Sequence, residues 1–201
     1  VSIKGPADFV TNADIRAEEI IKEELQRARP GFGLILEESG KEVGRDKEDF
    51  WIVDPLDGTM NFLHGLPHFA ISIAHESEGE ILSGIIFDPL RNEIFYSAKG
   101  LGAYSNDGRI RVSNRKELND SVFSTGIPCI GKDRHPAYLK ILDDMMKRSA
   151  GIRRFGAASL DLAYVAAGRY EGFWETDLKY WDVAAGSLLV QEAGGYISGI
   201  D

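Results

Sequence analysis

The first predicted element is a helix, because apolar residues near the start of the chain recur at helical spacing. Between residues 12 and 28 they fall three or four positions apart: Ala17, Ile20, Ile21, Leu25 and Ala28. This spacing is typical of an amphipathic helix with one buried face. Thr11 or Asn12 is suited to cap its first turn, and Pro30 to end it.

Two short apolar runs after this helix predict strands that end in carboxylates. The run 33–36 leads into Glu37, and the run 50–53 leads into Asp54. Acidic groups at the ends of buried strands are candidates for chemistry, because loops that follow a rigid scaffold often carry functional residues.

The remaining pattern divides the chain at about residue 113. Before it, β-rich runs separated by turn residues predict an antiparallel meander with strands at 70–75, 81–87, 93–97 and 102–105 and a hairpin turn at 106–108. After it, strands and helices alternate, with helices expected at 137–147, 159–167 and 183–193. We therefore predict a layered α/β fold of the α+β kind, with a helix and antiparallel sheet over 1–112 and an α/β lobe over 113–201.

Composition narrows the class of protein. With 43% hydrophobic residues and no long apolar run, the chain reads as soluble and globular, without a membrane span. Its 23 basic and 32 acidic residues give a net charge of −9, which disfavours direct binding of nucleic acid or an anionic membrane. The single cysteine, Cys129, forms no internal disulfide, which favours a cytoplasmic setting. Because the chain starts at Val1 and stops at Asp201, just after residues 196–198, which form the first half of an expected strand, we expect a fragment at both ends.

The segment from Asp54 to Thr59 carries the strongest chemical signal. Pro55 and Gly58 predict a tight turn that returns the carboxylate of Asp57 toward that of Asp54. Two carboxylates so close repel each other unless a divalent cation lies between them. Oxygen ligands alone favour a hard cation such as Mg²⁺. A short helix that opens at Gly58-Thr59 would turn its backbone N–H groups toward a phosphate.

Each of these signals also has a plain structural explanation. The five residues from Asp54 to Gly58 are typical of a surface turn, Glu37-Glu38-Ser39 of a solvated loop, and Asp182 of an N-terminal helix cap. Only their occurrence together favours a functional site.

Three segments of the chain resemble, in their residues and their order, the motifs of the inositol monophosphatase family. They are Glu37-Glu38-Ser39, Asp54 to Phe62 and Trp181 to Gly195. The resemblance runs from about Pro6 to Gly195. It implies the α-β-α-β-α arrangement of that family. It also implies a Mg²⁺-dependent, lithium-sensitive phosphomonoesterase that hydrolyses inositol 1-phosphate.

The resemblance also implies roles for individual residues. Glu37, Asp54 and the carbonyl of Leu56 resemble the ligands of one metal, and Asp54, Asp57 and Asp182 those of a second, with two or three Mg²⁺ ions per site. Gly58 and Thr59 match the phosphate-cradling turn, and Asp57 and Asp182 are also expected to contact the substrate. Catalysis is expected from Asp54 together with Glu37 and Thr59, the pair that orients the attacking water. Contacts with the rest of the substrate are expected from Gly156, Ala157, Ala158 and Glu175.

Alternatives and partners follow from the same resemblance. Related phosphatases act on fructose 1,6-bisphosphate, histidinol phosphate or 3′-phosphoadenosine nucleotides, and the last carry a Lys-Glu pair where this chain has Met60-Asn61. Met60 also stands where the family often has threonine. Bacterial relatives can instead act as transcription- or RNA-processing-associated interaction proteins. We expect a small phosphorylated polyol as substrate and a homodimer as the assembly.

Overall fold

A computed structural model of the chain describes residues 2–5, 8–128 and 134–199, and Cys129 lies outside these ranges. The elements follow in the order β1 (Ser2–Gly5), β2 (Asp8–Val10), α1 (Asn12–Ala28), β3 (Phe32–Leu36), β4 (Gly40–Glu42), β5 (Asp46–Asp57), α2 (Thr59–Leu63), β6 (Ala70–Ser77), β7 (Glu80–Asp88), β8 (Glu93–Ala98), β9 (Gly102–Ser105), β10 (Gly108–Ile110), β11 (Val122–Thr125), α3 (His135–Arg148), β12 (Gly151–Arg153), α4 (Ala158–Ala166), β13 (Gly172–Trp174) and α5 (Tyr180–Glu192). No helix within these ranges is both long and apolar enough to cross a bilayer.

Helix α1 forms over the predicted residues because its first turn is capped from both directions. The Thr11 hydroxyl accepts a hydrogen bond from the amide of Ala13 at 3.0 Å, and the Asp14 carboxylate accepts one from the amide of Thr11 at 2.9 Å. This is a capping box. The apolar side of α1, with Ile21 and Leu25, packs on one face of the neighbouring sheet.

An eight-stranded sheet forms the centre of the molecule, in the order β10-β9-β8-β7-β6-β5-β3-β4. The predicted antiparallel meander is confirmed over β6 to β10. The one parallel pair in this sheet joins β3 to β5. The carboxyl ends of these two strands therefore lie side by side, and both lead into acidic residues.

A second, three-stranded sheet is wholly parallel, in the order β12-β11-β13. The chain crosses from β11 to β12 through α3 and returns from β12 to β13 through α4. Right-handed crossovers in opposite directions place the two helices on opposite faces of the sheet. The layers are therefore α1, the large sheet, α4 with α5, the small sheet and α3, which confirms the layered α/β fold.

The main hydrophobic core lies between the large sheet and the pair α4 and α5. Its sheet side consists of Ile52, Ala70, Ala74, Ile86, Phe95 and Ala103. Helix α5 approaches β7 closely, since a Cβ on Gly84 would lie 2.8 Å from the Cα of Ala185. The core thus joins residues from both halves, and the division of the chain into units at residues 112 and 113 stays a prediction.

The structure corrects three expectations. Strand β5 continues through Asp57 without the tight turn expected at Pro55. Helix α5 begins at Tyr180, so that Lys179 is its N-cap and Asp182 lies in its first turn. Residues 196–198 form no strand.

Candidate active site

An irregularity in strand β5 brings Asp54 and Asp57 to the same side. Asp54 pairs with Ser72 and Asp57 with Ala70, so that β5 has one residue more than β6 between these pairs. In a regular strand, residues three apart point to opposite faces, and one extra residue reverses this relation. Pro55 is tolerated inside the strand because a bulge removes the need for its missing N–H group.

The parallel pairing of β3 with β5 brings Glu37 beside Asp54. Leu36 pairs with Val53, and the amide of Glu37 donates a hydrogen bond to the carbonyl of Val53 at 3.3 Å. The carboxyl groups of Glu37 and Asp54 share a hydrogen bond. Such a bond requires a proton on one of the two groups, because an ionised carboxylate only accepts.

Asp182 joins this group from the first turn of α5. Its carboxylate, at the third position of the helix, accepts a hydrogen bond from the amide of the N-cap residue Lys179 at 2.6 Å. The cap role expected from the sequence is therefore real but differs in position. Burial raises the pKa of Asp182 to about 7, and the negative charge of Asp57 adds to this effect.

Burial and the charges of neighbouring acids both disfavour the ionised form of Asp54. Only 2% of its surface is exposed. Burial raises its pKa well above the ordinary value, and the charges of Asp57, Glu37 and Asp182 raise it further. Its Oδ1 accepts a hydrogen bond from the amide of Leu56 at 3.0 Å. The other three acids proposed from the sequence thus lie near enough to Asp54 for their charges to act on it.

Asp57 also ties this cluster to helix α4. Its carboxylate accepts hydrogen bonds from the amides of Ala158 at 3.2 Å and Ser159 at 2.7 Å, and from the Ser159 hydroxyl. These bonds lower the pKa of Asp57, whereas burial raises it and is the larger effect. The amides at the start of α4 have no hydrogen-bond partner within the helix, and they therefore favour a negative charge there.

The turn after β5 fits closely against the loop before α4. Gly58 has a φ of 94°, in the left-handed region, and a Cβ there would lie 3.3 Å from the Cβ of Ala157 and from the carbonyl oxygen of Gly156. Gly58, Gly156, Ala157 and Ala158 are therefore brought together. Helix α2 begins at Thr59, as predicted, and Met60 is 40% exposed.

The sequence analysis missed Asp14, which lies directly behind this turn. The Thr59 hydroxyl donates a hydrogen bond to Oδ1 of Asp14 at 2.9 Å and lies 3.0 Å from the carbonyl oxygen of Leu56. Asp14 is fully buried. Its only local signal was the Thr11-x-x-Asp14 capping pattern, which does not indicate a distant partner.

Glu18, one helical turn further along α1, was missed as well. Its carboxylate accepts hydrogen bonds from the amides of Glu38 at 2.8 Å and Ser39 at 3.0 Å, and from the Ser39 hydroxyl. Residues four apart share one face of a helix. One face of α1 therefore contacts both segments that carry the acids. Asp14 binds the turn at Thr59, and Glu18 binds the loop after Glu37.

A second group of charges lies beside the first, around Glu175. Burial raises the pKa of Glu175 to about 7, the negative charges of Asp57 and Asp182 raise it further, and Arg154 lowers it. Asp161, in the first turn of α4, has a pKa raised by burial to about 8, and the charges of Asp57 and Glu175 add to this effect. Asp161 had no signal in the sequence, because it stands in an apolar helix.

The donor set suits a hard divalent cation. The groups are carboxylates and the carbonyl of Leu56, all of them oxygen ligands of the kind that Mg²⁺ prefers. Burial is the largest cause of the raised pKa of Asp54, and the negative charges of Asp57, Glu37 and Asp182 add to it. In the described ranges, however, no three acidic, histidine or cysteine side chains converge closely enough to enclose an ion as they stand. Hydrogen bonds to α4 and to Lys179 engage Asp57 and Asp182 instead.

The chain is similar in sequence to a known protein family. The sequence model described as the inositol monophosphatase family matches residues 2–201. The inositol-1-monophosphatase of Rhizobium meliloti (strain 1021) is 56% identical over 196 residues, which cover 98% of this chain and 74% of the relative. The Nus factor SuhB of Escherichia coli (strain K12) is 46% identical over 197 residues, which cover 98% of this chain and 74% of the relative.

Solved structures agree with these matches. The extragenic suppressor protein suhB from Bartonella henselae superposes with a TM-score of 0.94 at 55% identity, over 96% of this chain and 74% of that chain. An IMPase/NADP phosphatase complexed with Mg²⁺ and phosphate superposes with a TM-score of 0.83 at 25% identity, over 96% of this chain and 72% of that chain.

Proposed function

The chain belongs to the inositol monophosphatase family of phosphatases, and we propose from this premise that it hydrolyses inositol 1-phosphate to inositol and phosphate with Mg²⁺ as its cofactor. One observation carries the proposal. Asp54 is buried in a field of negative charge from Glu37, Asp57 and Asp182, at the junction of two strands and a helix. Such an arrangement of ionised acids destabilises a protein unless protons or a cation compensate the charge.

Glu37, Asp54, the carbonyl of Leu56, Asp57 and Asp182 would hold the Mg²⁺ ions. The chemistry that bound Mg²⁺ supplies is neutralisation of the phosphate charge and a lower pKa for a water molecule. These acids would otherwise repel a phosphate dianion. Binding of substrate should therefore depend on prior binding of the cation.

Thr59 is suited to orient the attacking water. A hydroxyl has one proton to donate and two lone pairs to accept with. The Thr59 hydroxyl donates its one hydrogen bond to the carboxylate of Asp14. The lone pairs of Oγ1 are then left to accept a hydrogen bond from water, which fixes the direction in which that water presents its own lone pair. Glu37, beside Asp54, would accept the other proton of that water.

The remaining groups would bind the substrate. Gly58 and Thr59 would offer backbone N–H groups to the phosphate, while Gly156, Ala157, Ala158 and Glu175 would contact the alcohol half. Among these, only Glu175 offers a charged side chain, which would accept hydrogen bonds from the hydroxyl groups of a polyol.

Phosphate release is the direct test. Inositol 1-phosphate is incubated with the chain with Mg²⁺, without it, and with Mg²⁺ plus lithium, and inorganic phosphate is measured. We expect release with Mg²⁺ alone, strong inhibition by lithium, and none from Asp54→Asn. A panel with fructose 1,6-bisphosphate and histidinol phosphate identifies the preferred ester, and faster release from either ester would replace inositol 1-phosphate as the proposed substrate.

A second candidate function is association with the transcription or RNA-processing machinery. It is favoured by relatives named Nus factor SuhB at 44–46% identity. Because the net charge is −9, contact through a protein is favoured over contact with RNA. Binding to purified transcription proteins that is equal for the wild type and Asp54→Asn would support this role, and binding to none of them would remove it.

A homodimer and a cytoplasmic setting complete the proposal. The first rests on the family resemblance and the second on the single cysteine. Light scattering of the purified chain tests the first, and a mass of one chain at micromolar concentration would contradict it.

A further inference from the structure

The residue after strand β11 is a glycine although its backbone does not require one. Gly126 is not among the residues of positive φ, so any residue could adopt its conformation. Its amide donates a hydrogen bond to the carbonyl of Trp174 at 3.2 Å. Alanine would retain this bond, which joins the ends of β11 and β13.

The space beside its Cα is occupied by Glu175. A Cβ built on Gly126 would overlap the carboxylate carbon and both carboxylate oxygens of Glu175. Glu175 follows β13, the neighbour of β11 in the small parallel sheet. The glutamate side chain therefore lies against the backbone of Gly126, in a place that any larger residue would fill.

This place puts the Glu175 carboxylate among the charges of the candidate site. Asp57, Asp182 and Arg154 all act on it electrostatically. If a larger residue at position 126 displaced the Glu175 side chain, its carboxylate would move away from its position relative to these three charges. A polyol substrate would then meet a carboxylate at the wrong distance from its hydroxyl groups.

We propose that Gly126 is a positioning residue, which by lacking a side chain leaves the slot in which Glu175 meets the hydroxyl groups of a polyol phosphate. The role of the substrate rests on the function proposed above, whereas the contact between Gly126 and Glu175 does not. Replacement of Gly126 should therefore slow the hydrolysis of esters of polyhydroxy alcohols. It should leave the hydrolysis of esters whose leaving group has no hydroxyl groups unchanged.

A double-mutant cycle tests the inference. Gly126→Ala, Glu175→Ala, the double variant and the wild type are compared on inositol 1-phosphate and on phenyl phosphate, with saturating Mg²⁺. We expect Gly126→Ala to lower kcat/KM for inositol 1-phosphate by about tenfold to a hundredfold, as misplacing a positioning group does. Phenyl phosphate should be hydrolysed within about twofold of the wild-type rate, because it makes no use of the misplaced group.

The double variant is the decisive arm. If Gly126 acts through Glu175, Gly126→Ala costs nothing further once Glu175 is alanine. Additive losses would overturn the inference. Should Gly126→Ala fold poorly alone, recovery of its melting temperature in the double variant would support the same contact, and no recovery would overturn it. Gly108→Ala is the matched control, because a Cβ there meets only ordinary contact, with the carbonyl oxygen of Ser105 at 3.6 Å.

A readout without substrate separates this inference from the proposed function. The side-chain carboxyl carbon of Glu175 is observed by carbon NMR and identified by its loss in Glu175→Gln. We expect its signal to shift in Gly126→Ala and not in Gly108→Ala. If the wild type leaves inositol 1-phosphate intact, the proposed function fails and this signal decides: a shift sustains the positioning role, and an unchanged signal overturns it.

Discussion

The carboxylate of Asp14 accepts a hydrogen bond from the hydroxyl of Thr59 at 2.9 Å, across 45 positions of sequence. This bond joins the first turn of α1 to the first residue of α2. Asp14 is fully buried, so the bond is protected from competition by water. It fixes the rotation of the one hydroxyl that the proposed mechanism uses to orient water.

Removing that hydroxyl should reduce turnover without unfolding the chain. We expect Thr59→Ala to lower kcat for inositol 1-phosphate by about a hundredfold, in line with the loss of one positioning hydrogen bond. Thr59→Ser retains the hydroxyl and should keep most of the activity. Steady-state kinetics of both variants check this, and equal losses in the two would contradict the assigned role.

Glu18 should matter for metal binding through the loop that it holds. Glu18→Gln replaces a charged acceptor of two backbone amides, and we expect the free energy of unfolding to fall by about 1–3 kcal/mol. Because the loop carries Glu37, the Mg²⁺ concentration for half-maximal activity should rise. Glu19→Gln, at the exposed neighbour, is the control and should change neither quantity.

Asp54→Asn should separate activity from stability. The variant replaces a buried carboxyl, whose ionised form is disfavoured by burial and by the charges of Asp57, Glu37 and Asp182, with a neutral amide, so the metal-free protein should melt at the wild-type temperature or above it. Turnover should fall by orders of magnitude. Addition of Mg²⁺ should raise the melting temperature of the wild type more than that of the variant. A large drop in the melting temperature of the metal-free variant would refute the repulsion argument.

The metal-free protein should lose stability as the pH rises. Burial raises the pKa of Asp161 to about 8 and those of Glu175 and Asp182 to about 7, above the ordinary values of 3.8 for aspartate and 4.5 for glutamate. The folded state therefore binds more protons than the unfolded chain. The resulting stabilisation is complete below the ordinary pKa values and is lost as the pH passes through 7 to 8.

Denaturant unfolding between about pH 5 and pH 9 measures this loss, with the three carboxyls named above as its source. Saturating Mg²⁺ should flatten the profile, because a bound cation favours the ionised acids. A stability that rises with pH across this window in the metal-free protein would show that these groups are not buried as described.

Elements with an unbroken apolar pattern were predictable, since burial of one face determines them. The strands of the meander are of this kind, and in helix α1 the face that packs on the sheet holds Ile21 and Leu25, although Ile20 is 54% exposed. Strand β5 was only partly predictable. Its apolar run at 50–53 was identified, but pairing with β6 extends it to Asp49, pairing with β3 extends it to Asp46, and the bulge carries it past Pro55. Backbone hydrogen bonds impose this extension, and they leave no mark on side-chain periodicity.

Some residues of the candidate site could be predicted from the sequence and others could not. Glu37, Asp54, Asp57 and Asp182 could be proposed because each belongs to a motif that can be read locally. Asp14 and Glu18 escaped because their importance lies in partners that are distant in sequence. An acid at the start of a helix is sufficiently explained as a cap, so local reasoning has no ground to look for a second role.

The placement of the main core has a consequence for synthesis of the chain. Ile52, Ile86 and Phe95 on the large sheet are covered by α4 and α5, which are translated after all of its strands. At roughly 5–20 residues per second, a ribosome leaves that apolar surface bare for on the order of ten seconds. The nascent chain is then at its most prone to aggregate, and chaperone protection in this interval should govern how much protein matures.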